Sequence, residues 1–160
     1  MIKKMLGTMC LIVFGTNLCV AQTTSQSDTN NWGNSIQGIQ LSISMTNSVV
    51  ETRSSIAVMA IIKNSSTNII YSGELEDSAD YDLILANDAG NKYHLIPRAS
   101  WLHLVKTLTL NPGEQDVRTI FATIGRNTET GDYTLQATRT FNMVGVRYKL
   151  ESNLLKVQIK

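Results

Sequence analysis

The strongest constraint on the fold is a short stretch near the C-terminal end, Gly131-Asp132-Tyr133-Thr134-Leu135-Gln136-Ala137. Tyr133, Leu135 and Ala137 fall on one side of an extended chain and Thr134, Gln136 and Thr138 on the other, the period of two expected of a strand with one buried face. A tyrosine just after a tight turn, at the start of such a strand, can anchor a corner. Its ring packs inward while its hydroxyl caps nearby backbone.

The same alternation recurs upstream. Ile39, Leu41, Ile43 and Met45 share one face of QGIQLSISMT, and Tyr81, Leu83 and Leu85 share one face of DYDLILA. In SIAVMAIIK, Ile56, Val58, Ala60 and Ile62 point one way, yet Ala57, Met59 and Ile61 make the other face apolar too, so something is expected to cover it. A buried helix is the rival for this all-apolar run; its β-branched content and the Asn-Ser-Ser-Thr-Asn turn that follows favour a strand. Asn64-Ser65-Ser66 matches a glycosylation acceptor and is read here as part of that turn. QDVRTIFATI is a strand whose inner side stays open, because Val117 with Phe121 and Ile120 with Ile124 lie on opposite faces. FNMVGVRY is expected to cross over at Gly145, and NLLKVQIK closes with Leu155, Val157 and Ile159 on one face. Seven to nine short strands joined by polar turns, without an amphipathic helix or an internal repeat, make an all-β sandwich or barrel.

Ahead of this domain the composition changes. Lys3 and Lys4 precede an apolar run that ends in Cys19-Val20-Ala21, with small residues where a signal peptidase cuts. Residues 1–21 therefore read as a cleaved signal peptide. Gly7, Thr8, Gly15, Thr16 and Asn17 weaken the run as a membrane anchor. Met9 and Leu18, before the two cysteines, argue against lipidation. Residues 22–31 have no apolar side chain and form a flexible polar leader, and 32–160 form a single domain of a size that closes a core without cross-links. The mature chain is exported, periplasmic or extracellular, and carries no cysteine. Loss of Lys3 and Lys4 turns its formal charge from +1 to −1. That balance points to neither nucleic acid nor insertion into a membrane.

The order of pieces, a strand ending in IIKNSSTN, then DYDLIL, DAGNKYHL, LTLNPGE and TGDYTLQAT, resembles the bacterial immunoglobulin-like domains, in particular the BsuPI-type proteinase-inhibitor domain. The resemblance covers about Ile39 to Ala137. It implies an immunoglobulin-like Greek-key β-sandwich and brings no inhibitory residue with it.

The chemistry-bearing residues are few. Cysteine catalysis is excluded for the mature chain, and serine catalysis would have to draw on His94 or His103, both in expected strands, with no G-x-S-x-G elbow. Two histidines nine residues apart make a poor zinc site. Glu74, Glu76, Asp77, Asp80 and Asp82 crowd one loop, which reads as solvated. Its alternative is a calcium site using Asp77, Asp80 and Asp82. No other cofactor is implied. Met59 and Ile61, and separately Trp101 and His103, are candidate parts of a binding surface. The leading expectation is an exported, non-catalytic binding module with a protein partner. The rival is a metal-dependent or hydrolytic enzyme built from the acidic loop and the histidines.

Overall fold

The computed structural model describes residues 31–75, 81–97 and 106–160. The proposed signal peptide, the leader up to residue 30, and Glu76, Asp77, Asp80, Trp101 and His103 lie outside the described residues. Among those described the chain is all-β, with eleven strands and no helix: β1 Ile39–Ser44, β2 Val49–Val50, β3 Ser55–Asn64, β4 Ile70–Leu75, β5 Tyr81–Ala86, β6 Lys92–Leu95, β7 Lys106–Leu110, β8 Gln115–Thr123, β9 Gly131–Met143, β10 Val146–Glu151 and β11 Leu155–Ile159. One sheet has the order β1-β3-β8 and a larger one the order β2-β11-β9-β5-β6, with β10 also on β9; β4 and β7 form a separate pair.

Alternation explains how these sheets share one core. Ile56, Val58, Ala60 and Ile62 of β3, Leu83 and Leu85 of β5, and Leu135 and Ala137 of β9 belong to a single buried cluster. Burying each Leu or Ile contributes about 1.5–3 kcal/mol. The ladder between β3 and β8 decides the side that the pattern of β8 leaves open: Ile120, Ala122 and Ile124 are buried, whereas Val117 and Phe121 face outward.

Two features raise the strand number above the seven to nine expected. The polar stretch between β1 and β3 contains β2, two residues that pair in parallel with β11 through Val49–Gln158 and Val50–Ile159. FNMVGVRY does not cross over; it makes a tight hairpin in which Met143 faces Val146, and Val144 and Gly145 take φ of 50° and 75°. Positive φ at both turn residues matches the twist of the flanking strands and keeps β10 beside β9.

One edge of β9 is thus lined first by β11 and then by β10. Between them the pairing continues through a side chain. The Ser152 N–H donates to the Ala137 carbonyl at 2.9 Å. In return the Ala137 N–H donates to Ser152 Oγ at 2.9 Å, a hydroxyl standing where a backbone acceptor would otherwise be. Asn153 then reaches the other sheet, its Oδ1 accepting from the Ile43 N–H at 2.7 Å and its Nδ2 donating to the Ile43 carbonyl at 3.1 Å. Gly33 sits against the Glu151 carbonyl in a space that no Cβ could share.

Two further polar anchors fix the turns. Asn64, fully buried, donates from Nδ2 to the carbonyls of Asn68 at 2.8 Å and Leu110 at 2.9 Å. Its Oδ1 accepts from the Ser66 N–H at 2.9 Å and the Ser66 hydroxyl at 2.7 Å, so every polar site of the amide is used. At the opening corner of β9, Tyr133 donates its hydroxyl to the Glu129 carbonyl at 2.9 Å, and its ring meets Tyr93 edge-on, 5.9 Å between centroids.

Tyr133→Phe removes that hydroxyl from a buried position and is expected to cost about 1–3 kcal/mol. Tyr133→Ala also opens a cavity and should cost about 3–5 kcal/mol. Denaturant midpoints at unchanged m-values measure both. A Tyr133→Phe cost no larger than that of Tyr71→Phe, at a position 65% exposed, would remove the corner from the stabilising features.

Candidate functional site

The outer face of the β1-β3-β8 sheet carries several exposed apolar side chains next to one another. Cross-strand register sets its composition: Ala57 lies opposite Phe121, Met59 between Ser44 and Thr119, and Ile61 between Ser42 and Val117. Phe121 is 53% exposed, Val117 55% and Met59 41%, whereas Ile61 is half-buried. Side chains two apart on one strand and directly opposite on the next lie within reach of one another. These residues therefore form a strip rather than scattered exposures.

The margins of the strip are neutral or basic. Lys63 holds its ammonium 5.7 Å from the centre of the Trp32 ring, a cation–π contact at one end. Segment 31–33 lies along the β1 side, where the Ser42 hydroxyl donates to the Asn31 carbonyl at 3.2 Å. Among the described residues, the cover expected over the second face of β3 is segment 31–33 at this margin, while Met59 and Phe121 are exposed. A shallow cleft of about 500 Å³ runs beside Met45, Ala57, Met59 and Thr119.

Of the residues singled out from the sequence, Met59 and Ile61 lie together on this face. Val117 and Phe121 are further members that sequence reasoning did not select, although their shared parity, opposite to Ile120 and Ile124, was the signal. Asp82 lies on the outer side of the other sheet, with its carboxylate 3.0 Å from Nδ1 of His94. Both side chains are well exposed. Among the described residues no three His, Cys, Asp or Glu side chains cluster as a metal site would require.

Sequence reasoning also missed a polar group inside the core. Arg139 occupies an inward position of β9 and is 2% exposed. Its Nη1 donates to the Tyr81 hydroxyl at 2.8 Å, and its guanidinium carbon lies 4.7 Å from the Tyr81 ring centre. On the inward side of β8, Arg118 Nε meets Asp116 Oδ2 at 2.9 Å. The legible signal was parity, since Arg139 follows Tyr133, Leu135 and Ala137 at steps of two. Burial pushes the Tyr81 phenol above its ordinary value of 10.0, with the Arg139 charge opposing. Burial and the neighbouring Tyr93 likewise raise Tyr133.

No protein-family model and no curated protein matches the chain. Among solved structures, the C-terminal domain of Wzt is similar, with a TM-score of 0.50 and 10% identity over 81% of this chain and 76% of that one. At that identity the likeness concerns the fold alone. Spo0M, the sporulation control protein of Bacillus subtilis, has a TM-score of 0.49 and 11% identity over 78% of this chain. The chain spans 50% of the length of Spo0M. AvmM, which catalyses macrocyclization in alchivemycin A biosynthesis, has a TM-score of 0.45 and 10% identity, covering 78% of this chain and 89% of that one.

The raised phenols set an alkaline limit. The unfolded chain releases these protons near pH 10 while the folded chain holds them, so their contribution is complete below about pH 10 and is lost as pH rises through the folded values. Stability measured by denaturant should therefore fall above about pH 10. Tyr81→Phe, besides its cost at neutral pH, should make that fall shallower; an unchanged slope would show that Tyr81 does not drive it.

Proposed function

We propose that the chain is an exported, non-catalytic, immunoglobulin-like Greek-key sandwich that binds a protein partner through the outer face of the β1-β3-β8 sheet. The observation that carries the reading is the exposed strip of Met59, Val117 and Phe121, next to a half-buried Ile61. Removing such side chains from water on docking would contribute about 25 cal/mol per Å² of apolar area, before the costs of association. The Tyr133 hydroxyl bond to the Glu129 carbonyl, at the start of a central strand, supports the Greek-key part of the reading. The export part rests on the basic, then apolar, then small-residue order of residues 1–21.

A proteinase is the sharper choice of partner, supported by the resemblance over residues 39–137. Titration of the mature protein against serine, cysteine and metalloproteinases should then show stoichiometric inhibition, and its absence from the whole panel removes this form of the proposal.

The docking face itself is tested by cross-linking the exported protein in its own cells and recovering the partner. Phe121→Asp and Met59→Asp should each reduce recovery by tenfold or more, equivalent to about 1.4 kcal/mol. Neither should move the unfolding midpoint by much, because both side chains are largely exposed. Val144→Asp, on the β9–β10 turn of the other sheet, serves as the control. Equal recovery with all three variants would place the interaction elsewhere.

A further inference from the structure

Among the described residues the larger sheet ends at β6, which pairs with β5, and just beyond it Pro97 bridges to Ala122 of β8. Beside β6 lies a cleft of about 440 Å³, walled on the other side by the turn that follows β8. Lys92 and His94 line it from β6, and Gly125, Arg126, Asn127 and Thr128 line it from the turn. The chemistry is one-sided: a lysine, an arginine and an imidazole share the cleft, and among the described residues no Asp or Glu lines it. Asp82 takes the Nδ1 side of His94 at 3.0 Å, which leaves Nε2 for another partner.

The turn adds donors. The Thr128 N–H donates to the Gly125 carbonyl at 3.3 Å, placing Arg126 and Asn127 at the two central positions. The N–H groups of Arg126 and Asn127 have no hydrogen-bond partner among the described residues. Like charges gathered around one cleft repel, and an anion seated between them would reverse the sign of that interaction. A guanidinium presents paired N–H donors that match the oxygens of a carboxylate or phosphate.

We propose that this cleft binds a small oxyanion, a free carboxylate or phosphate, held by Arg126 and Lys92 and oriented by His94 and the turn amides. The site is separate from the apolar sheet face and does not depend on that face having a partner. A lysine on an edge strand also protects a sheet from unwanted strand pairing, and that role alone would need no ligand.

The test is a titration of isotope-labelled mature protein, following amide shifts at constant ionic strength, with sodium phosphate, sodium citrate and sodium chloride in separate arms. Saturable shifts at His94, Arg126 and Asn127 are expected with phosphate or citrate, with a dissociation constant of about 1 mM or tighter, and none with chloride. The arm that saturates at lower concentration identifies the preferred oxyanion. Arg126→Ala and Lys92→Ala should each weaken that arm by about tenfold while leaving the amide spectrum of the core unchanged. Shifts that grow linearly and equally in all three arms, or saturation untouched by both variants, would overturn the proposal.

Discussion

Much of the architecture depends on how the edge of β9 is kept filled. A thirteen-residue strand offers more backbone groups along one edge than either neighbour alone can satisfy, and β10 and β11 divide the work. At the join, Ser152 lends its hydroxyl to the Ala137 N–H, so the departure from regular pairing leaves no buried donor without a partner. Between the end of β10 at Glu151 and the start of β11 at Leu155 the chain leaves the ladder, and Asn153 there bonds both backbone groups of Ile43 in β1. An irregularity in one sheet thereby becomes the fastening to the other.

Besides Ser152 and Asn153, three polar or amphipathic side chains inside the fold carry geometry. Asn64 holds the bend from β3 towards β4 and ties it to Leu110 at the end of β7. Tyr133 closes the corner before β9. Arg139 pairs with Tyr81 across the β5–β9 ladder. Each makes named hydrogen bonds rather than contributing hydrophobic burial alone, and a buried amide or hydroxyl tolerates few alternative arrangements of its neighbours. Apolar residues make the core favourable; these groups restrict which packing it adopts.

The legible part of the fold was the part governed by a period of two. β3, β5 and β9 announce themselves because one face of each is apolar over several consecutive steps, and the resulting core is the observed one. β2 was hidden because two valines in a polar loop carry no period; their pairing with β11 is decided by a partner more than a hundred residues away. Ser152 and Asn153 look like loop residues because their hydrogen bonds are set by tertiary neighbours. Arg139 had the inward parity but the wrong chemistry for an inward position, and only its bond to Tyr81 explains it. On the candidate surface, Met59 and Ile61 were visible as a second apolar face of β3. The full strip needed the register with β8, which brings Val117 and Phe121 alongside.

The Asn153 fastening has a temporal side. Ile43 and Asn153 are 110 residues apart, and Val49 waits for Gln158. During synthesis the early strands exist long before the residues that close their margins, so the margin of β1 joined to Ile43 and the β2 pairing remain open until translation has passed Gln158. Contacts of such sequence separation form late and slowly. The arrangement that makes the finished domain hard to open also delays the moment at which it can first shut.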